Sequence, residues 1–237
     1  MRKLHSRLLK MEDYKMFKRY VASFLLVASL ILNPTIAKAE ETKERIILID
    51  PGHGGIDGGG HAKDGTLEKE INLAISLKLK KALEDEGFKV FSTREEDKGL
   101  YDENLKVKQK KVQDLKNRCE MKKETNCDIF ISIHQNMYVQ SAINGAQVWY
   151  ASNEKSKRLA ELLQASLKEI LEQNNNRVAK DSKDDYRILR DGFEGASVIV
   201  ECGFLSNPTE SELLKDEKYQ DKIVSALVKG IKSYYKE

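Results

Sequence analysis

Ile46-Ile47-Leu48-Ile49-Asp50-Pro51-Gly52-His53-Gly54-Gly55 reads as a buried strand that stops at once. The apolar run has no polar alternation, so both faces of the strand are covered. Asp50-Pro51 ends it, because proline removes a backbone donor and restricts the residue before it. A histidine follows inside a glycine-rich turn, which puts an imidazole at a strand tip with little bulk around it. Two other apolar runs end in the same way. Asp128-Ile129-Phe130-Ile131-Ser132-Ile133-His134 stops at a second histidine, and Val198-Ile199-Val200-Glu201 stops at a carboxylate.

The segments between these runs are helical. Over 66–86, Leu67, Ile71, Ala74, Ile75 and Leu79 recur at helical spacing, and Gly87 ends the pattern. Residues 88–93 read as a strand, 104–123 as a Lys- and Gln-rich helix solvated on one face, and 145–151 as a strand with alternating Ala146, Val148 and Tyr150. Asn153 suits an N-cap for a helix to about 173. Residues 173–185 are polar and read as a loop, 196–201 as a strand, and the last helix starts at Thr209 or Ser211 and runs with breaks to about 235. Buried strands alternating with helices specify an α/β fold: one domain with a mainly parallel twisted sheet and helices on both faces. In such sheets sites lie beyond the carboxyl ends of the strands, where His53, His134 and Glu201 all fall.

Residues 1–39 stand apart. Arg2, Lys3, Arg7, Lys10, Lys15, Lys18 and Arg19 make a basic start, 21–32 is an unbroken run of apolar or small residues, and Ala37-Lys38-Ala39 is a small-x-small site. Together they read as a secretory signal peptide, cleaved after Ala39, with the catalytic domain in 40–237. The 12-residue run is short of the roughly 20 residues that span a bilayer, so a membrane tie exists only if the signal stays uncleaved. The segment holds eight Lys/Arg and two Asp/Glu, so the net charge of +3 becomes −3 without it. The body therefore presents no electrostatic case for nucleic acid. The odd count of Cys119, Cys127 and Cys202 builds no disulfide framework; free thiols are expected, with one bridge as the alternative.

Two imidazoles and a carboxylate make a donor set for catalytic zinc, which keeps a position open for water. His53, Glu68 and His134 supply that set, one ion per chain, and Glu201 is placed to move the proton. Singly, each signal has a plainer reading. A lone histidine at a strand end is most often a hydrogen-bonded structural residue. Glu68 after Thr66 suits the positive end of a helix, and Glu70 competes with it as the ligand. Glu201 suits a structural ion pair. His61 is a spare donor in a loop expected to be exposed, and the glycines 54, 55 and 58–60 match no nucleotide-binding loop.

Taken together, four blocks in order resemble the zinc-dependent N-acetylmuramoyl-L-alanine amidases of the amidase-3 type. They are Asp50-Pro51-Gly52-His53-Gly54-Gly55, Glu68-Lys69-Glu70-Ile71-Asn72-Leu73, Ser132-Ile133-His134-Gln135-Asn136 and Val200-Glu201-Cys202-Gly203-Phe204-Leu205-Ser206-Asn207. The resemblance covers about 45–235 and implies that His53, Glu68 and His134 bind zinc and that Glu201 is the acid/base. It favours Glu68 over Glu70, and it marks Asn136 and Arg190 as substrate-binding candidates and Leu115 and Arg118 as family positions. The implied reaction cleaves the amide between N-acetylmuramic acid and L-alanine in peptidoglycan, outside the membrane.

Some relatives carry a helix that plugs the site, but residues 135–144 leave no room for one after His134. No wall-binding repeat is visible, which motivates a recruiting or activating accessory protein. The bare domain after a signal, with Glu201-Cys202-Gly203-Phe204, resembles the spore-cortex amidases that work with a separate deacetylase in making muramic-δ-lactam. That subgroup implies action between forespore and mother-cell membranes. The rival readings are a zinc peptidase or carboxypeptidase on another peptidoglycan bond, and a non-catalytic wall-binding protein.

Overall fold

The computed structural model describes residues 44–171 and 175–236, with Met16 and Lys18 besides. The expected signal segment otherwise lies outside the described residues. Among those described, no helix is long and apolar enough to cross a membrane.

Six strands and five helices form among the described residues, strictly alternating only as far as the third strand. In chain order they are β1 (Ile46–Pro51), α1 (Glu68–Asp85), β2 (Lys89–Ser92), α2 (Val107–Glu124), β3 (Ile129–Asn136), β4 (Gln147–Tyr150), α3 (Glu154–Ile170), β5 (Lys180–Asp181), β6 (Ala196–Phe204), α4 (Pro208–Lys215) and α5 (Glu217–Tyr234). The strands form one sheet in the order β2-β1-β3-β6-β4-β5. β2, β1, β3 and β6 run parallel, and β4 runs antiparallel to β6 with β5 parallel to β4. The mainly parallel sheet is thus as expected, with a reversed edge pair. β5 falls within the stretch read as loop, because two residues carry no periodicity to detect.

Alternation along each strand fills two cores. Ile47, Ile49, Ile131, Ile133, Val198 and Val200 face α1, α3 and α5, where Ile71, Ile75, Leu79 and Leu83 make one stripe of α1 at four-residue spacing. Each of these fully buried aliphatic side chains contributes roughly 1.5–3 kcal/mol. Leu48, Phe130 and Ile199 face the other way, against Cys119 and Met121 of α2 and Ile188, Leu189 and Phe193 of the segment before β6. α2 is solvated on one face, as its sequence implies, and turns charged residues inward on the other. Its Lys122 is fully buried, with Nζ 3.0 Å from Asp191, 3.2 Å from Ser197 Oγ and over the ring of Phe130. A charged side chain here does core duty because each of its donors finds a partner.

Asn153 caps α3 by accepting from Ser156 N at 2.8 Å, as its sequence position implies. The helical C-terminal stretch breaks at Asp216, which ends α4 and caps α5 by accepting from Tyr219 N. All three cysteines are free.

Candidate metal centre

The site is built at the carboxyl ends of β1, β3 and β6. At the end of β1 the backbone turns through His53, whose φ of +61° lies in the left-handed region that non-glycine residues avoid. Two buried arginines clamp this turn by its carbonyls. Arg94 donates to Pro51 O (3.0 Å), Gly52 O (3.0 Å) and His53 O (2.9 Å), and Arg118 donates to Pro51 O (3.0 Å) and His53 O (2.7 Å). Arg118 also pairs with Asp50, which accepts from Ser132 and Thr93 (2.6 Å each). Burial raises the Asp50 carboxyl, but Arg118 and these two hydroxyls outweigh it and hold it down at about 2.

Gly52 is required where it stands. A Cβ there would lie 2.2 Å from His134 Nε2, so the imidazole rests directly on its backbone. The two histidine rings meet edge to face with centroids 4.9 Å apart.

Glu68 is the first residue of α1, where the helix dipole favours a carboxylate. Its Oε1 is 2.9 Å from His134 Nδ1 and accepts from Gln135 N (3.0 Å) and Asn72 Nδ2 (3.3 Å). Its Oε2 is 3.2 Å from His53 Nε2 and accepts from Gly60 N (2.7 Å). Burial alone would raise this carboxyl; His134 and His53 outweigh it and hold it well below the ordinary range. Glu70 faces elsewhere and accepts from Leu67 N at 3.4 Å in the helix cap. One donor atom from each of His53, Glu68 and His134 lies within 4.8 Å of the others.

His53 Nδ1 is 2.9 Å from Asp57 Oδ2, and Asp57 Oδ1 accepts from Lys111 Nζ at 2.9 Å. Burial lowers the His53 imidazole, but the hydrogen bonds to Asp57 and Glu68 push it up to about 9. Glu201 is paired in register with His134 across β3 and β6. It is 8% exposed, and its Oε2 has no hydrogen-bond partner among the described residues. Burial pushes this carboxyl up to about 7; His134 opposes the rise and Glu68 adds to it.

The donor set fits a metal on these grounds. A carboxylate reaches both imidazoles, each nitrogen facing it can release a proton, and a second buried carboxyl beside them lacks a partner. A cavity of about 200 Å³ opens next to the histidines, lined by Ile56, Tyr101, Lys111, Leu115 and Ile188. Asn136 ends β3, and its carbonyl accepts from Leu205 N at 2.9 Å. Arg190 donates to Asp184 O and lines two neighbouring surface clefts rather than this cavity. His61 is exposed and outside the cluster. Sequence reasoning passed over Asp57, Arg94 and Gln135. Asn72 was within reach of it, because a residue four after Glu68 lies above it on the same helical face.

A family model described as N-acetylmuramoyl-L-alanine amidase (Amidase_3) matches residues 47–233. The chain belongs to this amidase family. Among curated relatives, the germination-specific N-acetylmuramoyl-L-alanine amidase of Bacillus subtilis (strain 168) is 36% identical over 195 residues, covering 81% of each chain. Among solved structures, the CwlD amidase from Clostridioides difficile, in complex with the GerS lipoprotein, superposes with a TM-score of 0.79 at 44% identity. That match covers 81% of this amidase and 99% of the other chain. An N-acetylmuramoyl-L-alanine amidase from Clostridium difficile 630 matches with a TM-score of 0.71 at 28% identity, over 82% of this amidase and 98% of that chain.

Proposed function

We propose that this amidase hydrolyses the bond between the lactyl group of N-acetylmuramic acid and L-alanine with one zinc ion, during synthesis of the spore cortex. The observation that carries the reading is the His53–Glu68–His134 cluster facing a buried, unpartnered Glu201. Imidazole and carboxylate are zinc's donors in hydrolases, so His53 Nε2, His134 Nδ1 and the Glu68 carboxylate would hold the ion. Zinc in such a site polarises the scissile carbonyl and acidifies water.

The chain's own residues supply the rest. Glu201 takes a proton from the attacking water and returns it to the L-alanine nitrogen as the amide breaks. Burial disfavours the charged form of this carboxyl, which suits a group that takes a proton and gives it back. Arg94 and Arg118 hold the His53 turn rigid, and the Glu68 carboxylate is fixed by Gly60 N, Gln135 N and Asn72. Asn136 and Arg190 remain candidates for holding the glycan or stem peptide.

Export across the cytoplasmic membrane fits a substrate that lies outside it. The spore-cortex setting draws on the germination-specific relative, and an accessory partner draws on the relative whose structure holds a lipoprotein. The test is mass spectrometry of peptidoglycan treated with the purified protein, with and without zinc. Free stem peptides with an L-alanine N-terminus, seen only with zinc, support the reading. Loss of terminal residues from intact muropeptides would replace it with a carboxypeptidase.

A further inference from the structure

We propose that Asp57 is a positioning residue, which holds the His53 ring so that Nε2 serves as the metal donor. The proposal rests on the zinc reading above and adds a residue to it.

The geometry is direct. His53 has two ring nitrogens, and only Nε2 faces Glu68, at 3.2 Å. Nδ1 points the opposite way, onto Asp57 Oδ2 at 2.9 Å. A carboxylate on the far nitrogen fixes both the ring orientation and the tautomer, and it makes the near nitrogen more basic. The other flank is closed: a Cβ on Gly59 would come within 2.7 Å of His53 Cδ2. His134 has no matching carboxylate, since its far nitrogen packs over Gly52. Asp57 is thus the one carboxylate among the described contacts that grips a ligand imidazole from behind.

Lys111 of α2 holds Asp57 in turn, through Oδ1 at 2.9 Å. The same helix reaches His53 a second time through Arg118, which donates to the His53 carbonyl at 2.7 Å. α2 therefore grips both the backbone and the ring of one ligand.

The plainer role for Asp57 is to close its own turn. The backbone already does that: Gly54 N donates to Asp57 O at 2.9 Å, and Asp57 N donates to Gly54 O at 3.1 Å. The ion pair with Lys111, whose side chain is 53% exposed, adds little stability at a wet surface. The carboxylate is left with the imidazole as its main task.

The test compares wild type, Asp57→Asn and Asp57→Ala in the full chain. Zinc affinity is measured by competition with a chromophoric chelator, and the unfolding midpoint is measured on the metal-free form. Asp57→Ala is expected to weaken zinc binding roughly 10–100-fold. Asp57→Asn, which keeps an acceptor without the charge, should recover part of the loss, and the fall in zinc affinity should exceed what any lowering of the metal-free midpoint accounts for. Wild-type affinity in both variants overturns the proposal. So does a loss of affinity that merely tracks a lowered metal-free midpoint. A wild-type protein that binds no zinc removes the metal reading and this proposal with it, whereas zinc-binding wild type with unaffected variants removes this proposal alone.

Discussion

His134 and Glu201 stand opposite each other in register on the adjacent parallel strands β3 and β6. Strand spacing of about 4.8 Å therefore sets the distance between the proposed imidazole donor and the carboxyl proposed to carry the proton. The two roles can be separated by substitution. Glu201→Gln keeps the shape and removes the charge, so turnover should fall by roughly 10²–10⁴ while one zinc per chain is retained. Stem-peptide release and metal analysis on the same sample check this. Zinc lost together with activity would make Glu201 a ligand instead.

The same carboxyl makes a pH prediction for the metal-free protein. Its folded-state pKa of about 7 is raised above its ordinary 4.5, so it contributes stability fully below 4.5 and loses that contribution as pH rises through 7. Glu201→Gln should therefore gain on wild type over this window, by on the order of 3 kcal/mol. Urea unfolding of both proteins in chelator at pH 4.5 and 8 measures the difference. A difference that stays constant with pH would show that Glu201 titrates normally.

What could be read from the chain and what could not divide along a physical line. Ile46–Pro51, Ile129–Asn136 and Ala196–Phe204 are buried on both faces, so their composition alone marks them as central strands and places His53, His134 and Glu201 at one sheet edge. The direction of Gln147–Tyr150 was not legible, since alternation is the same in either direction. Arg94 and Lys122 were also missed, because a charged residue reads as solvated until the carbonyls it meets are brought to it from 41 to 66 positions away. Asp57 is a different case: it is local to His53 but sits in a glycine-rich turn whose path no periodicity predicts.

Metal removal should be visible in stability as well as in turnover. On the proposed zinc reading the ion binds only where the three donors are assembled, so at 100 times its dissociation constant it should stabilise the fold by about 2.7 kcal/mol. Thermal unfolding with and without chelator reads this. His134→Ala should fold yet show no zinc-dependent rise, and a full rise in that variant would move the site elsewhere.

Asp50 and Arg118 make the ion pair beneath the His53 turn, with side chains 1% and 2% exposed. Arg118 keeps a second carboxylate, Asp114 at 2.6 Å, so Asp50→Asn should destabilise by roughly 1–3 kcal/mol, the cost of a lost hydrogen-bonded charge rather than of a wholly unpaired one. The Asp50 pKa is lowered to about 2, so its contribution is present above 3.8 and is lost as pH falls through 2. The gap between wild type and Asp50→Asn should thus narrow on acidification from pH 4 to 2, in denaturant titrations across that range. An equal gap at both ends would separate the pair from acid stability.

Gly52 offers the sharpest steric test. Its φ is not in the left-handed region, so alanine meets no backbone strain, and the nearest obstacle is the His134 ring, 2.2 Å from the new Cβ. The ring must swing away, and with it Nδ1, which lies 2.9 Å from Glu68 Oε1. Gly52→Ala should therefore lose about 1–3 kcal/mol of stability to overpacking. Its zinc affinity should fall by more than about tenfold, because ligand placement must hold within about 0.5 Å. Calorimetric zinc titration of the folded variant measures the affinity. Tight zinc binding by Gly52→Ala would mean that His134 reaches the metal from a different rotamer than the one that rests on this glycine.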